Sequence, residues 1–186
     1  MAEPFISGYA LQWNQPATIA GAFVERFARG AFDKSLRENP DVAALWAHDT
    51  SRVLGRVGNG SLTIRSDAVG LWYSLTPNAG SPLGQEALAS VGRGDVAQVS
   101  VGFAADMETW DDTADLPARL VTQARLFEIS LVLWGAYGDA TSAAVSRAVM
   151  NAHAARRRVL AKPTSASARR ARTEQAARGI ISWRSQ

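Results

Sequence analysis

The chain has 186 residues, 47% of them hydrophobic and 20% charged, which suits one globular domain with a sizeable core. It has no cysteine and only two histidines, which excludes disulfide frameworks, thiolate metal centres, cysteine nucleophiles and a multi-histidine metal site. The net charge of +3 is uneven: residues 156–186 hold nine Lys and Arg against one acid, Glu174, so the body is mildly acidic and the basic character lies in an appendage.

In chain order, residues 5–13 form an apolar run with breaks, and 21–27 follow a proline-containing turn; both read as strands. Residues 31–38 read as a short helix closed by Asn39-Pro40. The apolar run 42–48 ends in the polar pair His48-Asp49. Runs 53–57, 61–65 and 70–75 are separated by turn-forming residues and suggest a meander of antiparallel strands. Leu83, Ala87, Leu88 and Val91 have helical spacing. Residues 95–105 and 119–134 return to strand character.

The longest helix is expected over residues 141–160. Its apolar stripe is Val145, Ala148, Val149, Ala152 and Val159, with Asp139 or Thr141 as its cap. Beyond Lys162-Pro163 the chain is rich in Ser, Ala and Arg and poor in apolar residues until Ile180, Ile181 and Trp183. This order predicts an α+β domain over 1–160, built on a closed or nearly closed antiparallel sheet. A basic tail over 161–186 is expected to lie outside it. Neither a signal peptide nor a membrane-spanning apolar run is visible, so the cytoplasm, or a particle assembled there, is the expected setting.

Three segments carry candidate chemistry. Along 96–104, Ala97, Val99, Val101 and Phe103 share one strand face and Gln98, Ser100 and Gly102 share the other. The second face is small and polar and leaves room to approach Ser100, although a surface serine on an ordinary strand has the same pattern. His48 closes an apolar run on the strand face of Trp46, where it reads either as a structural histidine or as a general base. His153, beside three arginines, reads as part of a solvated face. In 126–134, the most apolar strand, Glu128 and Ser130 share a face opposite Phe127, Ile129 and Leu131. A carboxylate there needs a partner. That partner is either an arginine, Arg125 or Arg56, or an imidazole that the carboxylate orients. Together these residues supply a base, a nucleophile and an acid in the order His48, Ser100, Glu128.

The ordered series His48-Asp49 with Leu54-Gly55-Arg56, then Ser100-Val101-Gly102-Phe103, then Leu126-Phe127-Glu128-Ile129-Ser130-Leu131-Val132 resembles the prohead (capsid maturation) serine proteases of tailed bacteriophages. Shorter matches at Gly8-Tyr9-Ala10, Glu25-Arg26-Phe27, Gly30-Ala31-Phe32, Arg93-Gly94-Asp95-Val96 and Gly135-Ala136-Tyr137 extend the resemblance over about residues 5–145. It implies a small, mostly antiparallel β-barrel with surrounding helices, similar to herpesvirus assembly proteases. It also implies that His48 and Ser100 match the family's catalytic histidine and serine, and that Glu128 matches the third member. Should Glu128 point away from His48, Asp49 or Glu25 is the next acid. The stretch 135–138 is the candidate oxyanion donor segment. Gly135 stands where the family commonly has proline.

The function implied is a serine endopeptidase that needs no metal or cofactor. It would cleave scaffolding protein, or a scaffold-like segment of the major capsid protein, and often itself, inside an assembling prohead in the host cytoplasm. A homo-oligomer is left open, no membrane partner is expected, and nucleic acid is expected only through the basic tail. Two rival readings are a catalytically inactive capsid assembly factor on the same fold and a nucleic-acid-binding module that works through the tail.

Overall fold

The computed structural model describes residues 3–146. The expected domain boundary at 160/161, the tail and most of the expected 141–160 helix lie outside the described residues.

Among the described residues, ten strands and two α-helices follow in order: β1 (Phe5–Gln12), β2 (Ala17–Ile19), β3 (Phe23–Phe27), α1 (Asp33–Glu38), β4 (Ala43–Trp46), β5 (Asp49–Arg56), β6 (Leu62–Ser66), β7 (Gly70–Leu75), α2 (Pro82–Arg93), β8 (Gln98–Asp111), β9 (Ala118–Val132) and β10 (Ala144–Ser146). They form two sheets. One is antiparallel in the order β10-β1-β7-β6; the other runs β2-β3-β9-β4-β5, with β8 also on β9. The class is α+β, mostly strands with few helices.

Among the described residues the expected closed antiparallel barrel is not formed. β3 and β4 both run parallel to β9. β5 and β6 meet through the Ser61 side chain, which accepts the Arg56 N–H at 2.9 Å, rather than through a backbone ladder. The expected three-strand meander is accordingly split. β6 and β7 form a hairpin, while β5 pairs with β4 in the other sheet.

The long strand β9 organises the molecule. β8 lines one edge along its whole length. The other edge is shared in succession: β3 pairs with residues 118–121 and β4 with 128–131. Between them the chain segment around α1 satisfies the backbone. The Ala124 N–H donates to Ala31 O at 2.8 Å, and the Leu126 N–H donates to Ser35 Oγ at 3.0 Å. A parallel pair cannot be joined by a tight hairpin, so β4 reaches β9 only through the long chain return between them.

The core lies between the sheets. Ile6, Leu11, Leu71, Tyr73 and Leu75 meet Ala44, Val99, Val101, Ile129 and Leu131, all buried. Phe27, Phe32, Phe103 and Tyr137 form an aromatic cluster at one end, with ring centroids 4.9–6.1 Å apart. α2 is capped as its residues dictate. Ser81 Oγ accepts the Gly84 N–H at 3.1 Å, Pro82 opens the first turn, and Gly94 closes the helix at φ 88.

Where the 141–160 helix is expected to begin, the chain instead forms β10 on the edge of β1, with Phe5, Ile6 and Ser7 opposite Ser146, Val145 and Ala144. Thr141 is no helix cap. Its Oγ1 donates to Gly138 O at 2.9 Å and accepts the Val99 N–H at 3.1 Å. The edge of β1 offers 144–146 a ladder, and that tertiary pairing outweighs local helical spacing.

Candidate active site

From Gln98 to Gly102 the segment bearing Ser100 folds as the alternation requires, whereas Ala97, expected on the face of Val99 and Val101, is exposed just before β8 begins. Val99 and Val101 point into the core, while Gln98, Ser100 and Gly102 are half-buried on the other face. Across the ladder, Ser100 stands opposite Ser130 and Gly102 opposite Glu128. Directly paired residues share a face, so Ser100 lies diagonal to Glu128, a Cα separation of about 7–8 Å.

Phe127 departs from the expected inward face and is 53% exposed. The ladder slips there, with Gly102 opposite Glu128 but Phe103 opposite Leu126, so Phe127 is the extra residue of a β-bulge. The bulge reverses the parity of burial. Ala124 and Leu126 point inward before it, and Ile129 and Leu131 after it. Without that slip Glu128 could not share a face with Ser100 while Leu126 stays in the core.

His48 is not on a strand. β4 ends at Trp46, which pairs with Asp49, and Ala47-His48 form the two-residue hairpin turn between them. Both have positive φ, 53 and 62, the combination a type I′ turn requires. Neither residue is glycine or asparagine, so each is held in a sparsely populated region by its surroundings. Those surroundings are on β9. The Ala47 N–H donates to Leu131 O at 3.0 Å, and the His48 N–H donates to Ser130 Oγ at 3.0 Å.

The turn delivers His48 Nδ1 to Glu128 Oε1 at 2.7 Å. The other carboxylate oxygen, Oε2, accepts the Ser130 hydroxyl at 2.5 Å. The Glu128 side chain is only 14% exposed, whereas that of His48 is 47% exposed. With Nδ1–H donated to the carboxylate, Nε2 of the neutral ring carries the lone pair. Gly102 provides the space, because a Cβ at that position would fall 2.3 Å from Glu128 Oε1 and 2.9 Å from its Cγ. Among the described residues Ser100 Oγ forms no hydrogen bond, and it is not bonded to His48.

The rival partners for these groups are engaged elsewhere. Arg125 pairs with Asp106 at 2.9 Å and Arg56 with Asp41, so neither arginine holds Glu128. Asp49 Oδ1 accepts the Ser51 hydroxyl and N–H at 2.6 and 2.8 Å, bonds that hold its carboxyl below the usual range. Glu25 lies on β3, buried against Arg119 at 2.7 Å and the Tyr137 hydroxyl. Burial, followed by the bond to Glu25, pushes the Tyr137 phenol well above its ordinary range.

The 135–138 segment lies beside the serine strand. A Cβ on Gly135 would approach Val99 O to 2.8 Å. The Gly135 N–H donates to Gln98 Oε1 at 2.7 Å, and the Gly138 N–H to Gly135 O at 3.0 Å. The Val99 N–H points to Thr141, away from β9. By antiparallel alternation the Ser100 N–H therefore faces the β9 ladder and is not an oxyanion donor.

Reading the sequence assigned no role to Ser130 or Gly102. Both stood in strand alternation with named candidates, Ser130 two residues after Glu128 and Gly102 two after Ser100, and that was the available signal. The left-handed pair Ala47-His48 had only a weak signal, because histidine is enriched at positive φ but alanine is not.

A histidine tied to a carboxylate, with a serine on the same sheet face, defines the class as a candidate serine hydrolase on a two-sheet α+β fold. The family model of the caudovirus prohead serine proteases matches residues 1–155, and the chain belongs to that family. It is thus a serine protease of bacteriophage capsid maturation. A search of the curated proteins returned no match. Among the described residues, no helix is long and apolar enough to cross a membrane.

Proposed function

We propose that His48, Ser100 and Glu128 form the catalytic triad of this protease. We further propose that its substrate is the scaffolding protein, or a scaffold-like segment of the major capsid protein, within an assembling prohead in the host. The observation that carries the triad reading is the 2.7 Å bond from His48 Nδ1 to Glu128, made over the strand face that bears Ser100. The Nδ1–H bond to Glu128 selects the tautomer with a basic Nε2, and the carboxylate stabilises the imidazolium formed when Nε2 takes the Ser100 proton. Ser100 Oγ then attacks the scissile carbonyl, and the imidazolium returns the proton to the leaving amine.

The Gly135 N–H is the donor assigned to the oxyanion, with the substrate oxygen replacing Gln98 Oε1. Self-cleavage and capture of the enzyme by its basic 161–186 segment complete the reading. A positive segment ending in Ile180, Ile181 and Trp183 suits docking on an acidic scaffold or capsid surface.

The test is coexpression with scaffold and capsid protein, followed by mass spectrometry of all three chains. The wild type produces defined cleavage products, and Ser100→Ala produces none. Full cleavage by Ser100→Ala would remove Ser100 from the mechanism. Removal of 162–186 is expected to leave peptide hydrolysis intact and to lower incorporation into proheads. Packaging at the full-length level would defeat the docking role.

A further inference from the structure

We propose that Ser130 is a positioning residue that locks the backbone of His48 and the carboxylate of Glu128 into one hydrogen-bonded ring, so that the base is aimed by both ends of its own residue. The inference rests on the triad reading above and goes beyond it. Ser130 Oγ is fully buried, accepts the His48 N–H at 3.0 Å and donates to Glu128 Oε2 at 2.5 Å. Glu128 Oε1 closes the ring on His48 Nδ1 at 2.7 Å. A serine hydroxyl can serve as donor and acceptor at once, and here it does both.

The ring meets a specific need. His48 stands in a turn with positive φ at both central residues and a half-exposed side chain, so strand packing does not orient it. A buried anchor on β9, the strand that also carries Glu128, supplies the orientation instead. It fixes the acid as well. With Gly102 leaving space beneath Oε1 and Ser130 holding Oε2, the carboxylate plane has one placement that reaches Nδ1. Removing the hydroxyl leaves the His48 N–H and a carboxylate oxygen without this partner and frees both halves of the pair to rotate. Ser130 faces Ser100 across the β8–β9 ladder, so the ring is built beside the nucleophile.

A fluorophosphonate probe, which phosphonylates an activated serine with loss of fluoride, tests this in the full chain without the natural substrate. The wild type is expected to label at Ser100. Ser130→Ala is expected to label about 10- to 100-fold more slowly, the range for a small misplacement of a reacting group. Because Ser130 is fully buried, the isosteric pair Ser130→Thr and Ser130→Val provides a comparison at matched volume. Threonine should label at least about 10-fold faster than valine on the same orientation argument. The His48 Nδ1–H proton resonance should be seen in wild type and Ser130→Thr and lost to solvent exchange in Ser130→Val. Equal labelling of the Thr and Val variants, or an unchanged Nδ1–H resonance in Ser130→Val, overturns the role of Ser130. Absence of Ser100 labelling in the folded wild type instead overturns the triad reading, so the two failures are distinguishable.

Discussion

Two carboxylates are paired across β9. Near its start, Glu25 gives one oxygen to Arg119 and the other to the Tyr137 hydroxyl, and its side chain is 4% exposed. Near its end, Glu128 gives one oxygen to His48 and the other to Ser130, and its side chain is 14% exposed. Burial and hydrogen-bond number hardly separate them. Their partners do. Arg119 is permanently charged and further tied to Glu108, so every group in that cluster is spent on structure. His48 is half in solvent, and among the described residues its Nε2 has no partner. An acid becomes a candidate for chemistry when its partner keeps a second reactive atom free.

That contrast is sharpest in substitutions that remove one member of each cluster. Ser100→Ala and His48→Ala should each lower cleavage by about 10⁴-fold or more while the protein stays folded, as read by substrate proteolysis and circular dichroism. Glu128→Gln should cost about 10²- to 10⁴-fold in kcat, because tautomer control is lost while nucleophile and base remain. Its unfolding free energy should change by no more than about 1 kcal/mol, the scale for an ion pair with an exposed member.

Arg119→Ala should invert that pattern. It leaves Glu25 buried with one partner, so urea unfolding should register a loss of about 3–5 kcal/mol. Cleavage by the folded fraction at low temperature should stay within a few-fold of wild type. Comparable stability losses in Glu128→Gln and Arg119→Ala would erase the distinction.

Gly102→Ala probes the acid from beneath. A methyl 2.3 Å from Oε1 must displace the carboxylate, and cleavage should fall by about 10-fold with little change in thermal midpoint. Retained activity would mean that Glu128 has another productive placement. The smallest expected effect is that of Ala47→Gly, which relieves a non-glycine residue at φ 53 and should raise stability by about 1 kcal/mol in urea titrations.

The alternation of 96–104 and 126–132 by itself determined that Ser100 and Gly102 share one face and Glu128 and Ser130 another, because strand side chains have a period of two whatever the partner. Val99, Val101, Ile129 and Leu131 were legible as core for the same reason, and α2 through the helical spacing of Leu83, Ala87, Leu88 and Val91. Which face met which was decided only by tertiary structure. The bulge at Phe127 depends on β8–β9 register, a property of two strands rather than one segment. The placement of β4 parallel to β9, and of 144–146 as a strand on β1, depends on which edges lie open after the rest has folded. The turn that aims His48 is the extreme case. Alanine does not favour the positive φ of Ala47, and the conformation of the Ala47-His48 pair is held from outside by Leu131 O and the Ser130 hydroxyl, 82 residues along the chain from His48.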